Sequence, residues 1–209
     1  MKSSIRLMLS ILLLVLTTMG MVNAAMAEMA PDVLVKTTAD DVLEIVKNDK
    51  DIQAGDQKKI FKLAEEKILP NFNFEHVSHL VLGKYWTRAT KDQQEAFQRE
   101  FRSLLLRTYA TALSKYRNQK IEYKPMRAQP GDTKVTVKTL VIQPDGPPIA
   151  IDYSLEKFPE GWKVYDIVIE GVSLVTNYRG QFSDEIRQSN LDGLIQKLTD
   201  KNKKAGVTS

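Results

Sequence analysis

The spacing of apolar residues changes period twice along the chain. From Pro31 to Asn48, Val35, Val42, Leu43, Ile45 and Val46 recur mostly at helical spacing. The run "AGD" at 54–56 breaks this first helix, and Gln57 to Leu69 forms a second that Pro70 closes. After "NFNF", Glu75 to Leu82 reads as a short helix ended by Gly83. Phe97, Phe101, Leu104, Leu105, Tyr109, Ala112, Leu113 and Tyr116 then mark one face of a long helix from about Lys91 to Tyr116. Thr90, with Gln93 three residues on, supplies a capping box for its first turn. This helix is the expected spine of the fold.

The period then shortens to two. "QKIEYKPM" (119–126), "TKVTVKTLVI" (133–142), "PIAIDYSLEKF" (148–158) and "GWKVYDIVIE" (161–170) are β-rich runs joined by "QPGD", "QPDGP" and "PEG". Short turns between consecutive strands predict a four-stranded antiparallel meander. Helical spacing returns over Ser173 to Ser189 and Leu191 to Leu198, and a polar tail, 201–209, is expected to be disordered. Helices, then strands, then helices define an α+β fold, a single domain over 28–200 with no linker long enough to divide it.

One strand does not alternate as a half-buried strand should. With strict alternation, Trp162, Val164 and Val168 share one side and Tyr165, Ile167 and Ile169 the other, so both faces are apolar. Likewise Ile149, Ile151, Tyr153 and Leu155 share a face, as do Val135, Val137 and Val141, while Leu140 and Ile142 point the other way. Two arrangements absorb this surplus: helices packed on both sides, or a sheet curved around an apolar cavity.

The first 27 residues stand apart. Lys2 and Arg6 precede an apolar stretch from Leu7 to Leu16, and "AMA" at 25–27 is a small-x-small cleavage signal, so residues 1–27 read as a secretory signal peptide cut before Glu28. A cut after Ala24 and an uncleaved membrane anchor are the alternatives, since 7–27 carries no charge. Cleavage at Ala27 leaves 209 minus 27, or 182, residues with 28 basic and 26 acidic side chains, a formal charge of +2. That near balance gives no support for nucleic-acid binding. The chain has no cysteine, which removes disulfides, thiol catalysis and lipid modification at cysteine.

Candidate chemistry is sparse. "EHVSH", 75–79, puts His76 and His79 three apart, but the order is not HExxH and no cysteine or third histidine completes a zinc set. Tyr165 beside Asp166 resembles an acid/base pair in composition. Strand neighbours point to opposite faces, so these two cannot both line one pocket unless a bulge intervenes. Asp166 alone is expected to be a hydrogen-bonded residue at a helix or loop contact. No GxSxG elbow, P-loop or GxGxxG is present.

Several separated blocks nonetheless resemble one family. "LVLGKYWTRATKDQQEAFQREFRSLLLRTYATALSKY" (80–116), "GWKVYDIVIEGVSLVTNYRGQF" (161–182) and "LDGLIQKL" (191–198) are similar to the MlaC, or toluene-tolerance, family of periplasmic phospholipid-binding proteins, over about residues 31–198. The resemblance implies a cone akin to nuclear transport factor 2, holding acyl chains in an apolar cavity with the head group near solvent. It further implies a monomeric periplasmic shuttle that carries phospholipid as cargo and uses no cofactor or metal. Its partners would be an outer-membrane lipoprotein complex and the substrate-binding ring of an inner-membrane ABC transporter, and its role the upkeep of outer-membrane lipid asymmetry. An exported α+β enzyme acting on a small apolar substrate is the alternative.

For the cavity wall, pattern and resemblance together select Phe101, Leu105 and Tyr109 on the spine helix, Val137, Ile151, Tyr153, Ile167 and Ile169 on the sheet, and Val172 and Val175 after it. Lys84 and Arg88, beside Tyr85 and Trp86, are candidates to meet lipid phosphate or an acidic partner, or are simply a solvated face. Gly171 is expected to turn the last strand into a helix capped by Ser173, as a fixed corner or as a moving hinge.

Overall fold

The computed structural model describes residues 29–204 apart from 117, 118, 130 and 145. The signal peptide expected over 1–27 therefore lies outside the described residues. Among those described, no helix is long and apolar enough to cross a membrane.

Helix α1 (Pro31–Asn48) begins with proline at its first turn, where the missing N–H costs nothing. The short α2 (Lys50–Gln53) is capped by the Asp49 carboxylate, and α3 (Gln57–Leu63) by that of Asp56. The chain then loosens into a π-turn, Ala64–Ile68, and tightens into a 3-10 turn, Leu69–Asn71, around Pro70. Asn73 caps α4 (Phe74–Leu82), and Gly83, at φ +54°, ends it. A 3-10 turn, Gly83–Arg88, leads to the spine helix α5 (Lys91–Tyr109). Its capping box is formed in both directions: Gln93 N–H donates to Thr90 Oγ1 (3.2 Å) and Thr90 N–H to Gln93 Oε1 (3.0 Å). The spine is shorter than its periodicity suggests, because residues Ala110–Lys115 wind as a 3-10 turn.

The sheet holds five strands in the order β1-β2-β3-β4-β5, all antiparallel: β1 (Lys120–Tyr123), β2 (Lys134–Ile142), β3 (Ile149–Phe158), β4 (Gly161–Ile169) and β5 (Val172–Ser173). Four strands were expected. The fifth arises because Glu170 (φ +48°) and Gly171 (φ +80°) form a two-residue hairpin that pairs Ile169 with Val172, instead of a direct strand-to-helix corner. Nothing lies within 4 Å of a Cβ placed on Gly171, so only the backbone conformation demands glycine there. Gly171→Val is expected to cost about 1–3 kcal/mol through strain alone, lowering the melting temperature. A thermal melt of the variant checks this; an unshifted melt would show that the hairpin tolerates a side chain there.

Helix α6 (Leu174–Lys204) is two helices joined at Asn190, whose φ of +59° breaks the run, close to the division expected after Ser189. The Asn190 Oδ1 accepts the Gly193 N–H at 3.0 Å and caps the second half. A side chain at Gly193 would sit 2.6 Å from Ser189, so this turn requires glycine for space. Residues 201–204, placed in the polar tail by the sequence pattern, continue α6. Asn202 is 1% exposed and its Nδ2 donates to the Glu100 carbonyl and carboxylate, each at 2.9 Å, which ties 201–204 to the spine.

Helices α4, α5 and α6 share one core, centred on Phe97, Phe101, Tyr178 and Phe182 with ring centroids 5.2–5.6 Å apart. A second core joins α1 to α3 with the end of the spine, through Val46, Ile60 and Leu106. A third packs Val35 of α1 onto Val135, Val137, Leu155 and Val164 of the sheet.

Candidate ligand-binding cavity

The register of β3 and β4 explains the strand that was apolar on both faces. Tyr153 pairs with Ile167 and Ser154 with Asp166, but Leu155 pairs with Val164, so Tyr165 is an extra residue in a β-bulge. The bulge reverses the parity. Trp162, Val164, Ile167 and Ile169 then share one face with Leu155, Tyr153 and Ile151, and the strand is amphipathic after all. Across β2 that face continues through Val135, Val137, Thr139 and Val141, and across β1 through Ile121 and Tyr123. The opposite face carries cross-strand ion pairs, Lys134–Glu156 (3.3 Å) and Lys138–Asp152 (3.8 Å).

The apolar face is filled at one end and hollow at the other. Toward the start of β2 it packs on Val35, whereas around Ile121, Val141, Ile149, Ile151, Ile167 and Ile169 it borders a cavity of about 570 Å³. These isoleucines are only half-buried although they face inward, because the surface they keep opens into the cavity. Leu34, Val42 and Leu43 of α1 close one side, Phe72 and Phe74 a second, and Leu105, Tyr109 and Leu113 a third. Among the described residues only two of the wall, Ala112 and Lys115, are exposed, and both lie on the 3-10 turn Ala110–Lys115. That turn marks the mouth. The floor is buried, at Val77, Phe101 and Val164.

Apart from Lys115 at the mouth, the polar wall groups Tyr109, Tyr153 and Asp166 are neutral or already engaged. Burial pushes the Tyr109 phenol well above its ordinary value, and a hydrogen bond with Tyr178 adds to this. Burial also raises Tyr153, opposed by its hydrogen bond with Thr139, whose own hydroxyl donates to the Ile151 carbonyl at 2.8 Å. The bulge brings both Tyr165 and Asp166 into the wall, contrary to strict alternation. Asp166 accepts from Ser173 Oγ (2.6 Å) and Val175 N–H (3.0 Å), while Ser173 Oγ accepts from Thr176 N–H (3.0 Å). The carboxylate thus anchors the start of α6, the helix contact foreseen for it.

Of the ten residues selected from sequence, Phe101, Leu105, Tyr109, Ile151, Tyr153, Ile167, Ile169 and Val175 lie in the wall. Val137 does not. It shares the inward face but sits in the filled part, 1% exposed, against Val35 and Leu155. Val172 does not either, since the hairpin turns it outward to 55% exposure. Sequence reasoning missed the walls from α1, Phe72, Phe74 and the mouth turn. "NFNF" and the helical face of α1 were visible as apolar positions, but nothing in them separates a wall from a core.

Other candidates lie elsewhere. His76 Nε2 is 3.0 Å from Glu156 Oε2, with its ring against Phe158 and Tyr165. Burial holds its imidazole below the ordinary value, against the pull of Glu156. His79 stacks on Trp86 instead of joining it. Among the described residues no three His, Cys, Asp or Glu side chains gather as a metal site. Lys84 and Arg88 are exposed on the turn Gly83–Arg88, with Lys84 Nζ 5.3 Å from the Tyr85 ring centroid, and neither borders the cavity.

A helical and sheet shell around an apolar cavity with one exposed lip defines a binding protein for an amphipathic or apolar ligand. Comparison with known proteins narrows the class. The MlaC protein family model matches residues 36–200, and the chain belongs to that family. It is 29% identical over 192 residues to the intermembrane phospholipid transport system binding protein MlaC of Haemophilus influenzae, covering 90% of each chain. It is 28% identical over 167 residues to the toluene tolerance protein ttg2D of Pseudomonas putida, covering 79% of this chain and 77% of that one. A solved phospholipid-binding protein from Ralstonia solanacearum, in complex with a phospholipid, superposes with a TM-score of 0.79 at 43% identity. That match covers 84% of this chain and 98% of the other.

Proposed function

We propose that this protein is a periplasmic phospholipid carrier, exported by its N-terminal segment. It holds acyl chains in the cavity and leaves the head group at the mouth. The observation that carries the reading is the cavity itself: apolar, closed by helices and a sheet, and, among the described residues, exposed only at Ala112 and Lys115. Its relatives named for phospholipid transport and binding supply the ligand class.

Elementary energetics favour such a carrier. Two acyl chains of about 30 methylenes in all cost on the order of 24 kcal/mol to expose to water. Free lipid therefore does not cross an aqueous space at a useful rate. A carrier whose interior is as apolar as a bilayer makes the transfer nearly neutral, and release then needs a partner that opens or replaces a wall. On this reading the partners are an inner-membrane ABC transporter and an outer-membrane complex, and the cycle preserves outer-membrane lipid asymmetry.

An acid/base enzyme is not favoured by the contacts. Asp166 is engaged with Ser173 and Val175, and the Tyr165 ring lies between His76 and Lys134. Native mass spectrometry with lipid extraction tests the carrier. The expected result is about one diacyl phospholipid per chain, without metal or nucleotide. Protein free of lipid that also takes none from vesicles would overturn the proposal.

A further inference from the structure

We infer that the ammonium of Lys115 receives the phosphate of the bound lipid, which makes this residue the position that favours phosphate-bearing cargo over uncharged lipid. The inference rests on the carrier reading and adds a specific contact to it.

The mouth fixes where a head group can be. The floor at Val77, Phe101 and Val164 sets how deep the chains go, and the phosphate must remain where wall meets water. The exposed lip consists of Ala112 and Lys115. Among the described residues Lys115 is the one lysine or arginine in the wall, and the one carboxylate there, Asp166, is bound to the start of α6. Among the described residues Lys115 forms no ion pair, although many of the surface lysines do. The other polar wall residues near it are Tyr116 and the amides Gln119 and Gln143. Gln119 reaches the Lys115 carbonyl with its Nε2 at 3.5 Å, and Gln143 lies where β2 leaves the Lys120–Ile142 pair, its Nε2 donating to the Pro147 carbonyl at 3.1 Å.

The chemistry of lysine suits this place. Its four-carbon stem extends the apolar wall while the ammonium stays hydrated, and a mobile point charge tolerates different head groups on one phosphate. Lys84 and Arg88 sit on the turn Gly83–Arg88, outside the wall, so the head of a lipid seated in this cavity meets Lys115 and not them.

Protein stripped of lipid is incubated with vesicles of equal parts phosphatidylethanolamine and phosphatidylglycerol, with a minor share of diacylglycerol bearing the same chains. Extracted cargo is then quantified. Lys115→Gln is expected to lower the ratio of phosphatidylglycerol to diacylglycerol about two- to fivefold, the range of a solvated ion pair. Lys115→Glu lowers it further, and Lys115→Arg restores it. A ratio unaltered in Lys115→Glu overturns the inference while the carrier reading stands. No lipid in the wild type overturns both. Inorganic phosphate alone is titrated onto stripped protein in parallel, and no saturable binding is expected. Saturable binding lost in Lys115→Gln would assign the site to a free anion and overturn the head-group contact.

Discussion

Ile151→Glu is expected to reduce lipid loading on the order of a hundredfold while the protein still folds. Ile151 is the third residue of β3, between Thr139 and Ile169 in the ladder, and its half-buried side chain faces the cavity. In the empty protein a carboxylate there is solvated by water occupying the cavity, so the fold loses little and the melt shifts by only a few degrees. Acyl chains would displace that water and strand a charge against hydrocarbon. The effective penalty is several kcal/mol, and each 1.4 kcal/mol is about tenfold in binding. Vesicle loading followed by extraction reads the effect, with a thermal melt as the control for folding. Full loading in a folded Ile151→Glu protein would mean that the chains lie elsewhere.

The order of elements and the capping box at Thr90 were legible because periodicity, turn chemistry and caps are local. The cavity was legible only in part. Val137 and Tyr153 are cross-strand partners on one face, yet one is packed and the other borders empty space. What separates them is whether Val35 of α1 reaches that part of the sheet, a tertiary fact that no alternation records. Tyr165 shows the second limit. One bulged residue reversed the parity of β4 and turned a strand that was apolar on both faces into an ordinary amphipathic one. Val172 was misplaced for a related reason: Glu170 adopts the left-handed conformation usually left to glycine or asparagine, so a hairpin formed where a corner was expected.

Phe97→Ala is expected to have the opposite signature, a large loss of stability with binding preserved. Phe97 is fully buried, stacked on Phe101 at 5.5 Å and edge-on to Phe182 at 5.6 Å, and it does not border the cavity. Removing its ring leaves a void among α4, α5 and α6 that the surrounding aromatics cannot collapse to fill, which costs about 3–5 kcal/mol. For a chain of this size that lowers the melting temperature by about 10 °C. Loading measured well below the melt should stay near one lipid per folded chain, because Phe101, the neighbour that does reach the cavity, keeps its contacts with Tyr178 and Phe182. A small melting shift would show that this aromatic cluster is not the structural core. A normal melt with lost loading would mean that Phe97 shapes the cavity floor through Phe101. The pair of variants therefore separates the two uses of apolar surface in this chain: side chains that hold the helices together, and side chains that are left without protein neighbours so that a lipid can supply them.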